Sequence, residues 1–326
     1  MRVLVTGAAG RVGSAVAAKL AGAGHEVTAL DARSPANPPD NCRVIEGKFE
    51  QPEVLRTACE GVEAVLHLGA FMSWLPQDAE QLFSANVIGT RYLLEAAASA
   101  GVQRFVFASS GEVYPEGRPR YQPIDEQHPQ EPASAYGLSK KLGEELVRFY
   151  ERARGLPSVV LRFSHTQDAG ELLDPDSFFS GPRFFLRPKI RQQTAFGNEA
   201  AVAALGAHDD GREQLVLSCN DQGHAYKMMI TDTRDIVAGV LLALEHPDAV
   251  GQTFNLGADE PVDFADAVPL MGELTGLPVV RVDLPGPGLS YETSNAKVRE
   301  RLGFRPAWTF ADMVTQAADA RTRRAS

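Results

Sequence analysis

The chain has 326 residues, 44% of them hydrophobic and 23% charged, which is the composition of a globular protein with one large domain or two closely packed ones. A chain of this size buries roughly 75% of its unfolded surface, so it needs neither disulfide nor metal to hold it together. The formal net charge of −10 has the wrong sign for a nucleic-acid surface and reads as solubility. Three scattered cysteines, Cys42, Cys59 and Cys219, form no CxxC pair and suggest free thiols in a reducing compartment. No apolar run reaches the ~18 residues of a membrane span, and MRVLVTG at the start lacks the pattern of a signal peptide. A cytoplasmic protein is expected, with a small-molecule partner and no membrane or nucleic acid.

In chain order, β-branched and aromatic runs predict strands at Arg2 to Thr6, Glu26 to Leu30, Cys42 to Glu46, Ala64 to Leu68, Arg104 to Ser109 and Ser158 to Phe163. They lack polar alternation, as strands buried on both faces do. Amphipathic stretches predict helices between them at Arg11 to Ala23, Pro52 to Ala58, Ala79 to Ala100 and Tyr136 to Arg154. From Ser164 to Tyr226 the pattern loosens, with Pro175, Pro182, Pro188 and five phenylalanines. Regularity returns with a helix at Thr231 to Leu244, a strand at Thr253 to Gly257, and short helices at Asn295 to Arg301 and Trp308 to Ala318. This order predicts an α/β fold: a Rossmann-type doubly wound parallel sheet with a smaller, mixed C-terminal substrate lobe. The boundaries expected are 1–163 for the dinucleotide-binding domain, with 224–258 returning to it, and 164–223 plus 259–326 for the substrate lobe.

Gly7-Ala8-Ala9-Gly10-Arg11-Val12-Gly13 directly follows the first strand and opens a helix, the setting in which glycines let a backbone approach a pyrophosphate at a helix N-terminus. The second strand ends at Asp31, whose carboxylate suits ribose hydroxyls and repels a 2′-phosphate. That favours NAD over NADP, although Arg33 is close enough to meet such a phosphate. Tyr136 and Lys140 stand four apart and so share a helix face, after Ser109-Ser110 at a strand end. A tyrosine of reference pKa ~10 is a poor base at neutral pH. A nearby ammonium and a nicotinamide cation favour tyrosinate, while a serine hydroxyl holds the substrate oxygen.

With these motifs together, the chain resembles the extended short-chain dehydrogenase/reductase family, in its NAD-dependent sugar epimerase/dehydratase branch. The resemblance spans TGAAGRVG, VLHLGA at 65 to 70, NVIGT at 86 to 90, RFVFASSGEVYPE, AYGLSK and the closing LGFRPAW. It implies Ser110, Tyr136 and Lys140 as the catalytic set. It also implies NAD contacts from Gly7, Gly10, Arg11, Val12, Gly13, Asp31, Arg33, Lys48, Phe49, Leu68, Gly69, Ala70, Tyr136, Lys140 and Phe163. A homodimer is implied through the helices at Ala79 to Ala100 and Tyr136 to Arg154.

Glu112 lies two beyond Ser110, where relatives that move a proton on a neighbouring carbon carry an acid or a cysteine and simple 4-epimerases do not. It reads either as a fourth catalytic residue, shuttling such a proton, or as a hydrogen-bonding residue. Gly111 stands where the dehydratase pattern has an aspartate, which disfavours 4,6-dehydration. Other departures are His165 for the phosphate-holding asparagine, Ala225 where an arginine usually stands, and Lys48 for the aspartate near adenine. Substrate contacts are expected from Phe71, Met72, Ser110, Glu112, Tyr136, His165, Arg183 and Arg187, with Ser73 and Trp74 either beside Phe71 in the site or in an aromatic core patch. No histidine spacing suggests a metal.

The leading expectation is a nucleotide-sugar epimerase working through transient C4 oxidation to a ketone. A net NAD-dependent dehydrogenase or reductase of a sugar, uronic acid or other alcohol is the alternative, and a non-catalytic dinucleotide sensor a third.

Overall fold

The computed structural model describes residues 1–115 and 117–325, without the side chains of the last two of these. Strands β1 (Arg2–Thr6), β2 (Glu26–Asp31), β3 (Cys42–Glu46), β4 (Ala64–His67), β5 (Arg104–Ser110) and β6 (Ser158–Phe163) alternate with helices α1 (Arg11–Gly22), α2 (Pro52–Cys59), α3 (Ala79–Phe83), α4 (Thr90–Ser99) and α5 (Ala135–Arg154). After β6 come β7 (His165–Gln167), α6 (Ser180–Phe184), α7 (Leu186–Ala195), α8 (Glu199–Gly206), β8 (Leu215–Cys219), β9 (Lys227–Met228), β10 (Ile230–Asp232), α9 (Thr233–Glu245) and β11 (Gln252–Leu256). The chain closes with β12 (Val262–Asp263), α10 (Phe264–Thr275), β13 (Val279–Asp283), α11 (Ala296–Leu302) and α12 (Phe310–Ala325).

Seven strands form one sheet in the order β11-β6-β5-β4-β1-β2-β3, every neighbouring pair parallel. The order reverses between β1 and β4, so the crevice at their carboxyl ends is where such a sheet binds ligands. One face buries Val16 and Leu20 of α1 with Ile236 and Val240 of α9. The other buries Leu55 of α2, Leu93 and Leu94 of α4 and Val147 of α5. Both faces are covered, which is why the strands read as continuous apolar runs. A separate cluster of Tyr114, Ile124, Phe184, Phe264 and Met313 and a smaller one of Leu186, Leu205, Val216 and Val282 hold the C-terminal lobe.

Three expected helices differ, one of them α12, which starts at Phe310 and runs on to Ala325 instead of ending at Ala318. The stretch Ala79 to Ala100 is broken by a π-helical turn at Ser84–Gly89. There Gly89 lies against Phe49, where a Cβ would sit 2.4 Å from that residue's own Cβ, and the widened turn turns Asn86 inward. Thr231 and Asp232 belong to β10 rather than to a helix, because Ile230–Asp232 pairs with β7. Asp232 then caps α9 by accepting from the Arg234 N–H (2.8 Å). The loosely patterned stretch after Phe163 holds short elements of three to ten residues. Among the described residues no helix is long and apolar enough to cross a membrane.

Candidate active site

The cofactor side starts from close backbone contacts. Gly7 has a left-handed φ of +70°, and a Cβ there would lie 2.4 Å from the Gly69 Cα. At Gly13 a Cβ would lie 2.1 Å from the Gly7 oxygen. These positions admit only glycine, and the loop they shape ends at Gly10, whose lack of a side-chain cap leaves the first N–H groups of α1 facing outward. Asp31 accepts from the Ala9 N–H at Oδ2 (3.0 Å) and from the Arg33 N–H at Oδ1 (3.2 Å), so its carboxylate is fixed beside the loop. A glycine cradle, a free helix N-terminus and a fixed acid at the end of β2 fit a dinucleotide with unmodified ribose.

The other expected cofactor residues surround this cradle unevenly. Gly69 abuts Gly7 and the ring of Phe49, while Leu68 and Phe163 pack against the core and Val12 does so from α1. Ala70 is half-buried at the β4 exit; Arg33 and Lys48 are exposed, the Lys48 N–H turned to Gln51 Oε1 (2.8 Å). Arg11 turns toward the C-terminal lobe: it pairs with Glu171, donates to the Thr166 carbonyl (3.1 Å) and lies over the Phe179 ring (5.0 Å).

Strand β5 and helix α5 bring the catalytic candidates together. Lys140 is buried, donates to the Ala108 carbonyl (2.7 Å) and lies 5.7 Å from the Tyr136 ring centre. Burial brings its pKa down to about 8, against the pull of Glu144 one turn along. Burial, and then the Glu112 carboxylate, push the Tyr136 hydroxyl above its usual value. The lysine therefore does not by itself offset the burial of the tyrosine, and the nicotinamide cation carries the rest of that expectation. Ser110 ends β5, and its Oγ accepts from the Glu112 N–H (3.2 Å). Gly137 lets α5 approach: a Cβ there would fall 2.2 Å from the Glu112 carbonyl oxygen.

Both oxygens of the Glu112 carboxylate are held by hydrogen bonds. Trp74 Nε1 lies 3.1 Å from both its oxygens, and Ser134 Oγ donates to Oε2 (2.6 Å). Desolvation raises its pKa while these bonds lower it, and desolvation prevails.

Behind the site sits a buried polar network that motif reading missed. Glu144, wholly buried, takes a two-pronged pair from Arg162 (2.9 and 2.7 Å) and accepts from Ser109 Oγ (2.6 Å). Burial alone would raise its pKa; Arg162 overrides that and holds it low. This network locks α5 to the β5–β6 exit. Asn86 also went unassigned. It accepts from the Phe71 N–H (2.8 Å), and its Nδ2 donates to the Phe71 carbonyl (2.9 Å) and to Ser139 Oγ (3.1 Å). Its only signal was the NVIGT block. Ser134 also went unassigned; it caps α5, accepting from the Gly137 N–H (2.9 Å). His67 lies between Thr6 Oγ1 (2.7 Å) and Thr90 Oγ1 (2.9 Å), and burial holds it neutral with a pKa of about 3.

The expected substrate residues divide. Phe71 and Met72 are half-buried on the loop after β4. His165 opens β7, its Nδ1 accepting from Arg183 Nη2 (3.2 Å), so Nε2 carries the hydrogen, buried and without a partner among the described residues. Burial, Arg183 and Arg11 keep the ring neutral. Lys189 is 6% exposed, its partners among the described residues being the Pro182 carbonyl at 3.4 Å and the Tyr226 ring at 5.7 Å, and burial lowers its pKa to about 8. Arg187 points elsewhere, to Asp209 (3.0 Å), with its side chain 46% exposed. Ala225, in the place of the usual arginine, forms an isolated bridge with Cys219.

The arrangement can hold a dinucleotide, exchange a hydroxyl proton and stabilise an oxyanion. Comparison with known proteins agrees. The model of the NAD dependent epimerase/dehydratase family matches residues 3–179. A UDP-glucose 4-epimerase of Corynebacterium glutamicum is 31% identical over 98% of this chain and 94% of its own length. A short-chain dehydrogenase/reductase superfamily protein from Agrobacterium tumefaciens, crystallised with bound NAD, is 56% identical with a TM-score of 0.96, covering 100% of this chain and 98% of that one. MoeE5 in complex with UDP-glucuronic acid and NAD is 26% identical with a TM-score of 0.76, each chain covered in full.

Proposed function

This chain belongs to the NAD dependent epimerase/dehydratase family, and on that premise we propose that it is a nucleotide-sugar 4-epimerase. The observation that carries this reading is the state of Glu112. Each of its oxygens already accepts from Trp74, and one also from Ser134. A base for a neighbouring carbon needs a lone pair facing that carbon, and both oxygens of Glu112 are turned to the Trp74 indole instead. What remains is chemistry at one hydroxyl-bearing carbon. NAD, bound in the glycine cradle, would supply the acceptor and donor of the hydride. Tyr136 takes the proton of the C4 hydroxyl and gives it back, Ser110 holds the oxygen between, and Lys140 keeps the positive charge that tyrosinate needs. In this reading the anionic half of the substrate goes to the C-terminal lobe, where Arg183, the His165 Nε2–H and Lys189 would meet phosphate oxygens. Residues 164–223 and 259–326 are thus the substrate lobe of our proposal.

The test is UDP-glucose in deuterium oxide with the NAD-loaded enzyme. UDP-galactose should form with no deuterium on carbon and no accumulating NADH. Label at carbon would restore Glu112 as a proton shuttle. Accumulating NADH would favour the second reading, a net dehydrogenase of a sugar or uronic acid. That reading draws on one observation, the alanine at position 225 where a diphosphate-binding arginine is usual.

We also propose a cytoplasmic homodimer. The three thiols are free, as suits a reducing compartment. Ile88, Leu138, Leu142 and Phe149 form an exposed apolar face on the π-turn and α5, as a helix-pair interface requires. Light scattering reads the oligomeric state, and a monomer would discard it.

A further inference from the structure

We propose that Trp74 is the wall against which the sugar ring stacks, and that Glu112 is the positioning residue that sets it there. This rests on the sugar-modifying reading above and names the side chain that selects the ring.

The Glu112 carboxylate is desolvated and has no cationic partner among the described residues. Burying an unpaired carboxylate is costly, so its two neutral donors, Trp74 and Ser134, matter. An indole has one donor and no acceptor, and here that donor is shared between both carboxylate oxygens at 3.1 Å, which fixes the ring's direction. Ser134 Oγ donates to the same carboxylate (2.6 Å) while accepting from the Gly137 N–H (2.9 Å). The indole is therefore tied to the turn of α5 that carries Tyr136. Its own loop is closed from the other side, where Ser73 Oγ donates to Asp78 (2.6 Å) and accepts from the Leu75 N–H (3.1 Å).

The consequence is an indole 6.1 Å from the Tyr136 ring and tilted by 55° to it. Phe178, 61% exposed, stacks on it at 5.9 Å and 26°, and Phe179 meets it edge-on at 6.3 Å. An aromatic patch left open to solvent beside a catalytic tyrosine suits a ligand with an apolar face and polar rim. A pyranose is such a ligand: its C–H face carries partial positive charge and meets the negative face of an indole. Stacking fixes the ring plane without fixing hydroxyl directions. That suits a ring whose C4 must give up hydride from one face and receive it on the other.

The test uses the NAD-loaded enzyme carrying Trp308→Phe, which leaves Trp74 as the sole tryptophan of two. With UDP-glucose, Trp74→Leu and Glu112→Gln should each raise KM roughly three- to tenfold, the worth of one aromatic contact, with kcat nearly unchanged. The double variant should be no worse than either single one, because both remove the same wall. Trp74→Phe should recover part of the KM loss, and Glu112→Gln should then add nothing. A Glu112→Gln loss confined to kcat, KM losses that multiply in the double variant, or an unchanged KM in Trp74→Leu would each overturn the proposal. If the enzyme does not turn over UDP-glucose, the epimerase reading falls by itself. The wall is then read from Trp74 emission during titration with methyl β-glucoside. A spectral shift that weakens in Glu112→Gln supports it, and no shift, or the same shift in both proteins, refutes it.

Discussion

The two sides of the cleft hold their polar groups differently. On the cofactor side, added Cβ atoms at Gly7, Gly13 and Gly69 would fall 2.1 to 2.5 Å from neighbouring atoms, and both oxygens of Asp31 are met by backbone N–H groups. On the proposed substrate side, among the described residues, Lys189 is buried with one long hydrogen bond and His165 Nε2 has none. The first is a finished mould whose partners come from adjacent turns of chain. The second keeps donors unspent, and unspent buried donors are costly unless a ligand meets them. Binding specificity is thereby stored as instability in the C-terminal lobe, while cofactor binding is stored as steric fit.

The largest expected effect lies on the seam between the two. Tyr136→Phe fills the same space but cannot exchange a proton, so kcat should fall ~100- to 10,000-fold, the range of general acid–base catalysis. NAD affinity, measured by titration, should stay close to that of the unaltered enzyme. A loss of only about threefold, far below that range, would mean that another group moves the proton.

The steric character of the cofactor side is tested at Gly13. A methyl group there meets the Gly7 oxygen at 2.1 Å, and backbone cannot yield as a side chain can. Gly13→Ala should lose about 1–3 kcal/mol of stability, the cost of overpacking, together with most NAD affinity. A variant that melts like the original and binds NAD normally would show that the loop is not a rigid mould.

What could be read in the sequence follows the same division. The strands of the sheet, the glycine loop, Asp31 and the Ser110, Tyr136 and Lys140 set all lie in local patterns whose spacing carries their meaning. The break at Ser84–Gly89 could not be read, because it answers to Phe49 and to Asn86 reaching Phe71 and Ser139, contacts far apart in sequence. Nor could the Glu144–Arg162 pair, since neither residue belongs to a motif and only the α5–β6 packing joins them. Glu112 was visible as a position, but its partner Trp74 comes from another loop, so its hydrogen bonds could not be inferred. The elements between Ser164 and Tyr226 escaped because, at three to ten residues each, they show no period.

The unspent donors of the substrate side predict a gain rather than a loss. Lys189→Met keeps the length of the buried stem and removes its uncompensated charge, so stability at neutral pH should rise by about 1 kcal/mol or more. The pH dependence fixes the sign. Lys189 has a pKa of about 8 when folded against ~10.4 in an unfolded chain. Below 8 it is charged in both states and its folded-state burden is fully present. Between these values the unfolded chain holds the extra proton, so stability of the unaltered protein rises with pH. The advantage of Lys189→Met, read from melting at several pH values, should therefore be largest below pH 8 and shrink above it. Affinity for UDP-glucose should fall in the same variant. A destabilised variant, or one with undiminished affinity, would remove Lys189 from the comparison.

The smallest effect separates the inner cations of that lobe from the outer one. Arg187 was expected at the substrate together with Arg183, yet its guanidinium lies 3.0 Å from Asp209 and the side chain is 46% exposed. An exposed pair of this kind is worth about 0–1 kcal/mol and is screened by salt. Arg183, by contrast, reaches His165 and Gln167 inside the lobe. Arg187→Ala should therefore shift the melting temperature slightly, and less at high salt, with KM for UDP-glucose nearly unchanged. Arg183→Ala should raise KM several-fold and leave His165 Nδ1 without its donor, a change visible as an altered histidine proton signal by NMR. If the two variants raised KM equally, burial would not be what distinguishes a substrate-binding cation in this lobe, and the division between inner and outer cations would fail.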